Sequence, residues 1–203
     1  MLSENGFTYK KATQALTFYA LKEKDSSLDK LKALKLIYFA DRFHLRKFGR
    51  TITNDEYYAM NYGPVASGTK DILEMSAFLD TLENEYASKY LEPQKSSTFI
   101  KAINKVDDSE LSISEVEALN FVWSKLGSKD NFELVDLTHK YPEWKKHEEQ
   151  LKLGLASRIK MDLTDFFDDP SEKLETFYEL NSEEKEAKIE FLKELTKLES
   201  LWN

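Results

Sequence analysis

The chain has 203 residues, 41% apolar and 33% charged, with only 6 glycines and 4 prolines; this is enough for one buried core, excludes a disordered or low-complexity chain, and favours helix. It has no cysteine, which excludes disulfides and thiolate metal sites and agrees with a cytoplasmic location; no basic leader precedes an apolar run, and no window approaches about 18 consecutive apolar residues, so neither a signal peptide nor a membrane span is expected. The net charge of −8 is polarised, since residues 1–50 hold eleven Lys/Arg against five Asp/Glu (+6) and residues 161–203 hold five against thirteen (−8), a distribution that suits an ordinary solvated surface or electrostatic steering of a partner.

In chain order, residues 8–24 read as a first helix, with Ala12, Leu16, Tyr19 and Ala20 at helical spacing. Asp25-Ser26-Ser27 reads as the N-cap of a second helix over 28–47. That helix carries one apolar stripe of Leu31, Leu34, Tyr38 and Leu45 and another of Leu36, Phe39 and Phe43. Two stripes predict burial on two sides. Gly49 suits a left-handed helix stop. Residues 51–53 and 56–61 read as two strands around an Asn54-Asp55 turn, and Gly63-Pro64 reads as the turn into a third helix whose core face is Ile72, Met75, Phe78 and Leu79. Residues 97–103 read as a third strand beside that hairpin.

Ser112 or Ser114 is placed to cap a fourth helix ending at Leu126 before Gly127, with Val116, Leu119, Val122 and Trp123 inward. A short fifth helix over 132–139 must break before Pro142, and a sixth over 144–153 stops at Gly154. Ile159, Met161 and Leu163 alternate, as in a strand or an extended link. Residues 171–180 read as a short helix, and Asn181 caps a last one with Phe191, Leu195, Leu198 and Trp202 at i, i+4, i+7 and i+11. The predicted fold class is mainly α with a small antiparallel β-sheet (α+β).

The run Leu36-Ile37-Tyr38-Phe39-Ala40-Asp41-Arg42-Phe43-His44-Leu45, then Phe48-Gly49-Arg50, then Tyr62-Gly63-Pro64-Val65, resembles the signature of the Panacea, or SocA-like antitoxin, domain. Leu111 to Leu119, Leu134 to His139 and Pro142-Glu143-Trp144 resemble the downstream half of the same family. The residues that carry the likeness are Leu36, Tyr38, Phe39, His44, Gly49, Tyr62, Gly63, Pro64, His139 and Trp144. The resemblance implies a compact helical Panacea domain over 8–153. It further implies an antitoxin that binds a cognate toxin encoded beside it, with no catalytic residues and no cofactor; because one relative delivers its toxin to a AAA+ protease, the alternative reading is a proteolytic adaptor with such a protease as a second partner. Residues 154–203 match no motif and read as an acidic helical extension packed on the same domain.

Read for chemistry, the residues offer little. His44 and His139 are suited to proton transfer near neutral pH, but a histidine within an apolar helix ordinarily makes a buried hydrogen bond, and one at a helix end complements the dipole. His139, Glu143 and His147 fall at i, i+4 and i+8, a metal-like spacing that Pro142 interrupts. No nucleophile elbow or phosphate-binding glycine loop is present, so a hydrolase reading lacks its machinery. Lys30, Lys32, Lys35, Arg42, Arg46, Lys47 and Arg50 form a basic set, but it interleaves with apolar positions in an acidic chain, and nucleic acid is not the expected partner. Protein binding is better served: Tyr57 and Tyr58 on opposite strand faces, and the terminal stripe of Phe191, Leu195, Leu198 and Trp202, are candidate contact residues. The stripe either docks on the parent core or enters a partner's groove.

Overall fold

A computed structural model describes residues 6–94, 98–172, 174 and 178–202, with the side chains of 196 and 199–202 left aside. The first helix, α1 (Tyr9–Lys22), buries Ala12, Leu16, Tyr19 and Ala20 completely, as the spacing requires. A 3-10 turn (Lys24–Ser26) leads into a short strand, β1 (Ser27–Asp29). The residues expected to cap the second helix are therefore turn and strand. Asp29 caps α2 (Lys30–Phe48) instead, its side chain accepting from the Lys32 N–H.

Helix α2 is the centre of the molecule. Residues 33–46 are all buried, so both apolar stripes face protein, and Gly49 closes the helix in the left-handed region at φ 81°. A helix enclosed on both sides has little circumference left for solvent. Its charged residues Lys35, Asp41, Arg42 and Arg46 are consequently buried with their partners.

Asp41 sets the path of the chain beyond α2. Its carboxylate accepts the Ile52 and Thr53 N–H groups at 2.7 and 3.1 Å, together with the Thr53 and Tyr57 hydroxyls. Two backbone donors of residues 51–53 thus go to a side chain rather than to a neighbouring strand, and the strand expected there is a loop. The hairpin forms one step later, between β2 (Tyr57–Met60) and β3 (Gly63–Ala66), around Asn61-Tyr62. Gly63-Pro64 lies inside the second strand, not at the start of a helix. Helix α3 (Ser67–Glu74) begins after it, with Asp55 accepting the Gly68 and Thr69 N–H groups.

Met75 ends α3 in the left-handed region, and Asp80 with Glu83 makes a reciprocal capping box for a separate helix, α4 (Thr81–Tyr90). Phe78, expected in the core, lies between the two and is 88% exposed. Next in the chain are strands β4 (Leu91–Pro93) and β5 (Phe99–Ala102). β5 does not join the hairpin: it lies between β1 and β4, where Ile100 opposes Leu28 and Ala102 opposes Leu91, all turned into the core.

Ser112 caps α5 (Ile113–Leu126) in a second capping box with Glu115. Leu119 and Val122 are buried and Val116 and Trp123 pack against the core, while Gly127 keeps right-handed helical angles. Helix α6 (Asn131–Thr138) ends before Pro142, which opens α7 (Pro142–Lys145). The single helix expected over 144–153 is split, the second piece being α8 (Glu148–Lys152). Strand β6 (Ile159–Lys160) then pairs with β2, giving a second three-stranded antiparallel sheet in the order β3-β2-β6. A 3-10 turn at Leu163–Phe167 sends Phe166 and Phe167 into the core at 0% exposure; each such burial contributes roughly 1.5–3 kcal/mol. Among the described residues of 171–180 there is no helix; 173 and 175–177 lie outside them. Helix α9 (Ser182–Trp202) ends the chain. The architecture is mostly helical with two small antiparallel sheets, an α+β fold.

Candidate interaction site

Residues of the two sequence motifs, about 75 positions apart, meet at one place. Lys35 Nζ donates to the Pro64 carbonyl at 2.8 Å, and Trp144 Nε1 donates to the Met60 carbonyl at 2.9 Å. The imidazole of His139 stacks on Trp144 at 3.7 Å between ring centres. Gly63, at φ 91°, passes so close to Thr138 that a Cβ would stand 2.3 Å from its Oγ1. Lys35, Trp144 and Thr138 together clamp both strands of the hairpin from below and leave its tip residue, Tyr62, 61% exposed. Burial lowers the Lys35 ammonium to about 7, and no ion pair joins it to a carboxylate among the described residues.

The remaining motif residues are structural. Leu36, Tyr38 and Phe39 are fully buried. His44, also buried, donates from Nδ1 to the Arg50 carbonyl, which leaves Nε2 to accept from the Ser114 hydroxyl at 3.1 Å; burial lowers its pKa, with the Arg50 bond opposing. Tyr38 Oη and Arg42 Nε both bond Glu143 Oε1 at 2.6 Å. Glu143 is thus committed to the core, and among the described residues no group of three His, Cys, Asp or Glu is placed to hold a metal ion.

Six of the seven basic residues are engaged within the chain. Lys35, Arg42 and Arg46 are buried, Lys32 pairs with Glu23, Lys47 with Glu117 and Arg50 with Glu115. Periodicity did not reveal Glu115. It is fully buried and accepts from Lys11, Arg50 and the Ser112 N–H. Burial alone would raise its carboxyl; the Lys11, Ser112 and Arg50 donors more than offset this and hold it below its usual value.

The candidate contact residues separate by position. Tyr57 is 1% exposed, with its hydroxyl on Asp41, so it belongs to the core and offers a partner no surface, which corrects the expectation from strand alternation. The Phe166 ring, 5.2 Å away between ring centres, covers the face Tyr57 was expected to present, while β6 extends the sheet along the edge of β2. Tyr58 is half-buried beneath the Arg158 guanidinium. On α9, Ile189 and Leu192 pack on the core and Lys188 bonds the Lys47 carbonyl, whereas Phe191 and Leu198 are 50% and 53% exposed and Leu195 is intermediate. Phe191 and Leu198 lie seven residues apart on one helix face, among exposed Glu183, Glu184, Glu190 and Glu194. For Trp202 only the helical backbone is described. Between α9 and the body runs a groove of about 920 Å³ lined by Leu45, Ile52, Met161, Leu163, Leu192 and Leu195 with Lys11, Arg50 and Lys193.

Among the described residues no helix is long and apolar enough to cross a membrane. The model of the antitoxin SocA-like, Panacea domain matches residues 34–145, more than half of the chain, and spans every residue of the hairpin clamp. No curated protein and no solved structure matches the chain.

Proposed function

The chain belongs to the SocA-like antitoxin, Panacea domain family, and from that premise we propose that it neutralises a cognate toxin in the cytoplasm by binding it directly and covering its harmful surface, without chemistry or a cofactor. The observation that carries this reading is the flank of α9, where Phe191, whose ring also lies against Gly49, and Leu198 stand half-exposed beside glutamates. Large apolar side chains inside a charged rim are the usual make-up of an interface centre. The acidic rim favours a basic toxin surface. Nanomolar inhibition requires about −12 kcal/mol, within reach of a standard interface with a few well-buried anchors. The clamped hairpin, with Tyr62 at its tip, is a rigid second contact.

Co-production with the protein encoded by the adjacent gene, in cells with and without their AAA+ proteases, tests this. Masking predicts that protection and a purified complex both survive loss of the protease. Protection that vanishes with the protease would instead make the chain an adaptor that delivers its partner for degradation. A neighbour harmless when produced alone would remove the antitoxin reading.

A further inference from the structure

Arg42 and Arg46 lie one turn apart on α2, inside the family-matched span, and both are buried. Most of their donors are used outside that span. Arg42 Nη2 bonds the Asp168 carbonyl; Arg46 bonds the Tyr178 carbonyl at 2.9 Å through Nε, the Phe166 and Phe167 carbonyls at 3.2 and 2.6 Å through Nη1, and the Asp169 carboxylate at 2.6 Å through Nη2. Four of these five acceptors are main-chain carbonyls. A carbonyl is the same whatever side chain its residue carries, so the two guanidiniums hold the end of the 3-10 turn and the residues just after it by their backbone, and only Phe166, Phe167 and Asp169 contribute sequence.

The covalent link to this segment is a bare loop. Leu153 and Leu155 are 65% and 73% exposed, and a Cβ built at Gly154 meets nothing within 4 Å. Beyond the segment, the Arg46 bond to Tyr178, the Lys185 pair with Asp168 and the Lys188 bond to Lys47 set where α9 lies.

We propose that Arg42 and Arg46 form a peptide-docking slot of the Panacea body, filled here by the chain's own residues 166–169, and that the slot seats the terminal helix as a separable, exchangeable cassette. The proposal rests on the reading of α9 as the toxin-facing element only for the cassette's purpose; the docking itself stands on the arginine geometry. The ligand class is a segment that turns at two adjacent aromatics and continues into acidic residues.

A protease site replacing residues 155–157 in the full-length protein tests the slot, with cleavage carried out under native conditions. The cut wild-type protein is expected to co-elute on gel filtration as a one-to-one pair. Arg46→Met should weaken retention of the C-terminal fragment about a hundredfold, through loss of several charge-assisted bonds; Asp169→Asn, which leaves the carbonyl contacts in place, should weaken it less than about tenfold. Separation of the cut wild-type protein without any mutation overturns the proposal. So does equal retention by Arg46→Met. An Arg46→Met chain with no cooperative melt also overturns it, because the body would then not exist apart from the segment. No toxin enters the measurement, so the slot can fail while Phe191 and Leu198 still bind a partner, and the reverse.

Discussion

Lys35 Nζ lies 2.8 Å from the carbonyl oxygen of Pro64, joining the central helix to the strand that carries the Gly-Pro motif. Burial favours the neutral amine and lowers this lysine to about 7. Below that value folded and unfolded chains both carry the proton; above it the folded chain releases it while the unfolded one holds it up to the ordinary lysine value, so stability rises with pH across this window. Wild-type protein should gain about 2 kcal/mol from this group between pH 7 and pH 9. Urea melts at the two pH values should show the gain in wild type and its absence in Lys35→Met.

Gly63 combines φ 91° with the approach to Thr138 and Lys35. Gly63→Val should therefore lose about 3 kcal/mol or fail to fold, through backbone strain and steric overlap together. Pairing Gly63→Ala with Thr138→Ala removes the contact but not the strained φ, so chemical denaturation should show partial recovery relative to Gly63→Ala alone. Full recovery would mean that the backbone angle costs nothing.

Asp41→Asn keeps the size of the side chain but points an amide N–H₂ at a place where four donors already converge. The expected loss is about 3 kcal/mol, and because those donors organise residues 51–57, amide exchange at Ile52 and Thr53 should accelerate more than exchange in α1. Uniform acceleration would argue against a local role.

On α9, Phe191→Glu with Leu198→Glu should cost about 2 kcal/mol of stability, since both side chains are half-buried and Phe191 packs at Gly49, and should leave a cooperative melt while abolishing neutralisation of the toxin. A protective double variant would move the contact surface elsewhere, with Tyr62 the next residue to change. Reversing Glu184 and Glu194 to lysine should slow association and reduce its salt dependence.

The helices at the centre of the molecule were legible because each carries its own signal. The two stripes of α2, a serine cap at 112 or 114 and the break before Pro142 are local, and the structure places each there, with Ser112 the cap. Strands at 56–61, at 97–103 and from 159 were legible, but their pairing was not. The strands are two to four residues long, and their pairing depends on contacts such as Leu28 with Ile100, 72 positions apart. The hairpin register differs from the expected one for a chemical reason: a helical aspartate takes the N–H groups that a strand at 51–53 would have used.

A signal for the buried polar network was nevertheless present. Four charged residues on a helix with two apolar faces imply buried partners, although which partners is set by positions more than 100 residues downstream for Arg42 and Arg46. The burial of Tyr57 was hidden by the same gap, since alternation along a strand assigns sides without saying that Phe166 will cover one of them.

Glu115 caps its own helix, grips Lys11 from α1 and holds Arg50 just beyond α2, all through one enclosed carboxylate. Three stretches far apart in the chain thus share a single carboxylate, and a fluctuation that displaces Glu115 removes the partner of all three at once. The first helix, the loop after the second and the start of the fifth should therefore open as one unit, and amide protons in all three should exchange with a common free energy rather than fraying independently from residue 9 onward.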